Sequence, residues 1–295
     1  MNKQFVLPLL LLALITGSLS AQTPQTVGPE KGALVIVGGG TMGPELWNRF
    51  VELAGGPVAA SIVIIPTAGE DSSANSIPRE KEKLQSLGVK NITVLHTRDP
   101  KVANQESFVA PLRKATGVWF VGGRHWRLAD SYLNTLAHKE FNAVLSRGGV
   151  IGGTSAGATI LGSFMVRGDT KGNSIMIGDH TQGLDFIHNV TIDQHFLRRN
   201  RQFDLVEVIK ARPELLGIAI DEGTAIVVQQ NTFDVIGASY VGIYEAGQIA
   251  NSTKYPSGQN SSGGPFYFLS KGQKFDLKGR NVISPQPQRA NEPAK

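Results

Sequence analysis

The chain has 295 residues, 41% apolar and 18% charged, with 34 glycines, 15 prolines and no cysteine. That apolar share supports a real core and excludes wholesale disorder, and the length allows one large domain or two small ones. Lys and Arg exceed Asp and Glu by 29 − 24 = 5, in no block of like charge, which argues against a nucleic-acid partner; the absence of cysteine excludes a disulfide framework, a Cys-ligated metal and a thiol nucleophile.

At the N-terminus a single charge, Lys3, precedes an apolar run over residues 5–15 and a small-residue stretch over 16–21; the next charge is Glu30. This is the pattern of a cleavable secretory signal peptide, and the run is about half of the roughly 20 residues a membrane span needs. We expect residues 1–21 to be removed by cleavage after Ala21, with Ser20 as second choice. The mature chain is then exported, secreted or periplasmic, with no membrane span.

Residues 34–37, 61–65, 92–95, 117–121 and 149–152 are short runs, most of them rich in Val and Ile, separated by amphipathic stretches at 45–54, 79–87 and 128–145. This alternation predicts an α/β fold, a doubly wound and mostly parallel sheet with helices on both faces. The active crevice of such a sheet lies at the carboxyl ends of its strands. Gly38, Gly40 and Gly43 match the dinucleotide spacing only in part, and no acidic residue ends the second strand, where Ile64-Ile65-Pro66 stands. The glycines therefore read as a tight turn, and no cofactor is expected. Residues 190–192 form a further short strand. Runs at 216–220, 225–229, 233–237 and 266–269 read as antiparallel additions to the edge of the same sheet. Residues 251–265 read as a loop and 284–295 as a disordered tail, leaving one domain over 22–283.

The segment that carries chemistry is Gly153-x-Ser155-x-Gly157, directly after a buried strand and before a helical run. A sharp strand-to-helix turn strains its central residue and tolerates only small neighbours two positions away on each side. A hydroxyl placed there needs a base, usually a histidine steadied by a carboxylate. His138 reads as solvated and His96, His180 and His188 as loop residues without partners; no metal-ligand spacing occurs, so no metal site is expected. His195, in Asp193-Gln194-His195-Phe196, stands where a strand ends, and Asp221 and Glu222 close the strand at 216–220. Periodicity does not choose between the two acids, because strand neighbours face opposite ways. The order Ser, His, acid excludes an α/β-hydrolase, whose His comes last.

The motifs Gly-Gly-Thr-Ser-Ala-Gly-Ala (152–158), Asp-Gln-His-Phe (193–196) and Gly-Ile-Ala-Ile-Asp-Glu (217–222) resemble the cyanophycinase branch of the peptidase E-like serine peptidases. The resemblance implies a flavodoxin-like fold related to class I glutamine amidotransferases, with Ser in place of Cys. It implies Ser155 as nucleophile, His195 as base and then acid, Glu222 as the group orienting His195, and the N–H groups of Ala156 and Gly123 as oxyanion donors. It further implies Asp193, Gln194, Arg199 and Arg201 as substrate contacts and a homodimer. Cyanophycinases cut a polymer with an aspartate backbone bearing arginines. Where they carry Gly-Gly-Asp-Gln, however, this chain has Gly122-Gly123-Arg124-His125, and Asp204 stands where they have an arginine. Arg124 and His125 are expected to add positive charge to the substrate site and favour an anionic group. The expected function is hydrolysis of cyanophycin or related aspartyl or isoaspartyl peptides. The alternatives are an aspartyl dipeptidase of shifted specificity and a binding protein that has lost turnover.

Overall fold

A computed structural model describes residues 26–70, 79–254 and 264–283. The expected signal peptide and C-terminal tail lie outside the described residues. Four of the apolar runs are β1 (Ala33–Val37), β2 (Ser61–Ile65), β4 (Gly117–Phe120) and β5 (Val150–Thr154), each almost wholly buried, as strands covered on both faces must be. With β3 (Asn91–Val94) they pair in parallel in the order β3-β2-β4-β5-β1. Beyond β1 the sheet continues antiparallel through β9 (Thr224–Gln229), β10 (Thr232–Gly237), β13 (Lys274–Asp276) and β14 (Asn281–Ile283).

A second sheet has the order β12-β11-β8-β7-β6. In it β6 (Gly162–Phe164), β7 (Ile187–Gln194) and β8 (Leu216–Ile220) are parallel, and β11 (Tyr240–Tyr244) and β12 (Tyr267–Ser270) antiparallel. The α/β class with antiparallel additions therefore stands. The strands at 216–220 and 266–269 nevertheless belong to a separate sheet, not to the edge of the first. A short apolar run reports burial and does not reveal which sheet it joins.

Two local readings also change. The stretch 128–145 is two helices, His125–Tyr132 and Leu136–Ser146, parted at Asn134, whose φ is 61°, with the Thr135 hydroxyl capping the second by accepting from the His138 N–H. Residues 251–254 are helical, as the end of Ala246–Lys254.

Side-chain alternation assembles the layers. On β1, Leu34 and Ile36 join Phe120, Phe141, Ile192 and Ile218 in one large cluster, which is common to both sheets. Ala33, Val35 and Val37 point the other way, onto Leu46, Trp47 and Phe50 of the helix Pro44–Leu53. On β8, Leu216, Ile218 and Ile220 enter the shared cluster while Ala219 packs with Leu205, Val208 and Ile209 of the helix Asp204–Ala211. One core thus glues the sheets face to face, and fully burying each such side chain contributes about 1.5–3 kcal/mol. Among the described residues no helix is long and apolar enough to cross a membrane.

Candidate active site

Five strands end at one place. Gly38 follows β1, Gly122 and Gly123 lie just beyond β4, Ser155 follows β5, His195 follows β7, and Glu222 stands just past β8. Ser155 sits at φ 55° and ψ −117°, a strained conformation for a residue with a Cβ. Its N–H donates to the Val37 carbonyl at 3.1 Å, and its own carbonyl accepts from the Ala158 and Thr159 N–H groups, the first turn of the helix Ala156–Thr159. The glycines on either side are steric necessities. A Cβ on Gly153 would strike the Gly157 backbone, and one on Gly157 would strike the Phe120 backbone.

The Ser155 hydroxyl lies 2.9 Å from His195 Nε2, and His195 Nδ1 lies 2.5 Å from Glu222 Oε1. A carboxylate only accepts, so Nδ1 carries the proton and Nε2 is left to accept from the hydroxyl. Asp221 turns away from this line: its Oδ1 accepts from the Arg198 N–H at 3.0 Å and its Oδ2 from the Ser239 hydroxyl at 2.7 Å. His195 is 6% exposed. Burial lowers its pKa below the ordinary histidine value, Arg199 and Arg201 push the same way, and Glu222 opposes them. The imidazole is therefore neutral at pH 7.

Gly38-Gly39-Gly40, read from the sequence as a tight turn, serves as the floor under this line. A Cβ on Gly39 would sit 2.6 Å from His195 Nε2, one on Gly40 would sit 2.6 Å from Glu222 Oε2, and one on Gly38 would strike the backbone of Ile220 and Asp221. Gly39 and Gly40 also hold φ of 106° and 70°, which glycine adopts without strain. The signal was three consecutive glycines at a strand end.

The N–H of Ala156 opens its short helix, and Gly122 approaches so closely that a Cβ there would lie 3.2 Å from Ser155 Cβ. Next to it, Gly123 holds φ 145°, and the Arg124 N–H donates to the Ala68 carbonyl at 2.7 Å. Among the described residues the Gly123 N–H meets no backbone acceptor.

His125 is not on the rim. It is 3% exposed, its Nε2–H donates to the Val166 carbonyl at 2.8 Å, and burial lowers its pKa to about 4. It is neutral at pH 7, so only Arg124 adds charge there; an imidazole at the start of a helix looked solvent-facing, but the packing turned it inward. Asp193 is likewise enclosed, at 0% exposure, in a two-pronged ion pair with Arg167: Nε to Oδ1 at 3.0 Å and Nη2 to Oδ2 at 3.1 Å. Gln194 is buried, and its Oε1 meets no partner among the described residues. Arg199 is exposed and Arg201 half-buried. Arg167 escaped the sequence reading; an arginine three residues past a short apolar strand was its one visible trace.

The other histidines have partners as well. His138 Nε2–H donates to the Leu184 carbonyl at 2.9 Å, Thr67 bonds His96, Asp179 and Asp130 flank His180, and Asp185 pairs with His188.

Comparison with known proteins accords with this geometry. The family model described as "Peptidase family S51" matches residues 34–236. The chain is 32% identical over 232 residues to the cyanophycinase of Geminocystis herdmanii strain PCC 6308, covering 76% of this chain and 84% of that one. It is 30% identical over 278 residues to the cyanophycinase of Nostoc sp. strain PCC 7120, covering 90% and 91%. A crystal structure of a peptidase from an acI-B1 Actinobacterium superposes with a TM-score of 0.57 at 23% identity, covering 85% of this chain and 98% of that one, and supports the fold.

A methyl group on Gly39 must displace the imidazole. Gly39→Ala is expected to lower kcat/KM about 100-fold, the scale of an ångström's misplacement, while far-ultraviolet circular dichroism stays unchanged. Full activity in the folded variant would mean the imidazole needs no such floor. With the family model covering more than half of the chain and full-length relatives at 30% identity and above, the chain belongs to peptidase family S51, the cyanophycinase and peptidase E-like group of hydrolytic serine peptidases.

Proposed function

We propose that this peptidase hydrolyses aspartyl or isoaspartyl peptide bonds, in cyanophycin or related peptides, through a Ser155–His195–Glu222 triad and an acyl-enzyme. The observation that carries the reading is the unbroken hydrogen-bond line from hydroxyl to imidazole to carboxylate, 2.9 Å and then 2.5 Å. His195 Nε2 takes the hydroxyl proton as Ser155 Oγ attacks the carbonyl carbon. The negative charge passes to the carbonyl oxygen, where the N–H groups of Ala156 and Gly123 are the proposed donors. His195 returns the proton to the departing amine, leaving an ester on Ser155. Water then gives a proton to His195 and attacks the ester, and His195 passes that proton to Ser155 Oγ as the ester C–O bond breaks, which releases the acid and restores the hydroxyl. Glu222 holds the ring in the required tautomer and stabilises its charged form.

The cyanophycinase names of the relatives support a substrate with an aspartyl backbone. Export as a mature chain beginning at Gln22 is supported by the tripartite N-terminal pattern, and a homodimer by the resemblance alone. Intact-mass measurement of protein recovered outside the cytoplasm is expected to give a chain starting at Gln22; a chain retaining Met1 would refute cleavage.

A serine-directed phosphonate is expected to label the wild type once and Ser155→Ala not at all. Labelling that survives the substitution would move the nucleophile elsewhere.

Activity requires neutral His195, so kcat/KM should fall as pH drops through the imidazole pKa. Because burial and two arginines lower that pKa, the acid limb should have its midpoint below about 6.5, the ordinary histidine value. Arg201→Gln removes a repelling charge and should move the limb upward. A limb that stays put or moves downward would disprove this account of the base.

A further inference from the structure

Five carboxylates near the relay among the described residues are already engaged. Glu222 holds His195, and Asp221 takes the Arg198 N–H and the Ser239 hydroxyl. Glu70, in the segment after β2, is gripped by Arg127 at 3.1 and 3.2 Å. The remaining two, Asp193 and Asp204, converge on Arg167. Its Nη2 bridges Asp193 Oδ2 at 3.1 Å and Asp204 Oδ2 at 2.5 Å, its Nε meets Asp193 Oδ1, and its Nη1 donates to the Asn173 carbonyl at 3.2 Å. The Arg167 side chain is 3% exposed.

Three other arginines of this region are in the opposite condition. Among the described residues Arg124, Arg199 and Arg201 form no ion pair. Arg199 and Arg201 act electrostatically on His195, and Arg201 Nη1 is buried with no hydrogen-bond partner. Arg124 follows Gly123 directly.

We propose that Arg167 is a specificity-determining residue that fills, from within the protein, the two-carboxylate seat of Asp193 and Asp204, so that the enzyme takes peptides bearing a free carboxylate beside the scissile bond and turns away those bearing a guanidinium there. The proposal rests on the peptidase reading above and narrows its substrate class. Among the described residues a guanidinium entering this site meets three arginines without ion pairs and five acids that are already engaged, whereas a carboxylate meets forked donors suited to it. Rejection by like charge is as much a part of selectivity as attraction. Asp193 stands two residues before His195, so the filled seat borders the reacting groups.

The test is a panel of isoaspartyl and aspartyl dipeptides whose second residue is Asp, Glu, Ala, Leu or Arg. Turnover is measured with the wild type, and binding by calorimetry with Ser155→Ala. The acidic members should exceed the arginine member by about tenfold or more in kcat/KM and in affinity, with the advantage shrinking in high salt. Arg199→Gln or Arg201→Gln should erase most of that advantage through KM. Arg167→Met should raise relative acceptance of the arginine member; because it strands two carboxylates and can unfold the protein, Arg167→Lys with both acids retained serves as the folding control. Equal or better use of the arginine peptide by the wild type would overturn the proposal while leaving the peptidase reading intact. Acid-selective binding without turnover would instead uphold the proposal and sink the catalytic reading.

Discussion

The arrangement depends on how closely the end of β1 can approach the ends of β7 and β8. Ser155 belongs to one sheet and His195 and Glu222 to the other, and two stacked sheets ordinarily keep about 10 Å between them. Here the backbone of Gly38-Gly39-Gly40 bridges the gap. The Gly38 carbonyl accepts from the His195 N–H at 2.9 Å, and the Gly39 carbonyl accepts from the N–H of Gly223, the residue after Glu222, at 3.0 Å. Any side chain on these three residues would collide with the imidazole, the carboxylate or the β8 backbone. Each glycine costs roughly 0.5–1 kcal/mol of extra chain entropy, which the shared core must offset.

Electrostatics at the relay are a contest between opposing influences of similar kind. Burial disfavours the imidazolium, two arginines add to that, and one short hydrogen bond to Glu222 works against both. The outcome leaves a ring able to accept a proton yet supported once it has done so, which is the balance a general base needs. His125 shows what happens when no carboxylate hydrogen-bonds the ring: with backbone groups of Val166 and Arg167 as its neighbours and Asp193 acting only through space, burial still lowers its pKa to about 4. The two buried rings differ in that a carboxylate hydrogen-bonds His195 and none hydrogen-bonds His125.

Much of this was legible in the sequence, for identifiable reasons. Ser155 was visible because a sterically cramped turn dictates glycine at fixed offsets. His195 was visible because it alone among six histidines combined a strand end with acids further along. The choice between Asp221 and Glu222 was not open to periodicity; it is made by tertiary partners, Ser239 and the Arg198 N–H drawing Asp221 away. The second sheet was missed because strand pairing is a long-range choice to which a five-residue apolar run is indifferent. Arg167 was missed for the same reason in electrostatic form. Its partners lie 26 and 37 residues along the chain, and no local pattern announces them.

The two acids that Arg167 joins are not equivalent, and the difference bears on how such a site can change its substrate. Asp193 is sealed, and besides the guanidinium its Oδ1 accepts from the Gln194 N–H at 2.9 Å, one residue before His195 departs into the left-handed region at φ 54°. Altering Asp193 would therefore disturb the backbone that aims the imidazole. Asp204 stands at the start of a helix, is 36% exposed, and touches Arg167 through one oxygen. A change of charge at 204 leaves the path from Asp193 to His195 in place. If Arg167 sets substrate preference as proposed, that preference can shift at the outer acid while the inner one keeps the relay aligned, and it is at that outer position that this chain departs from the arginine of the family it resembles.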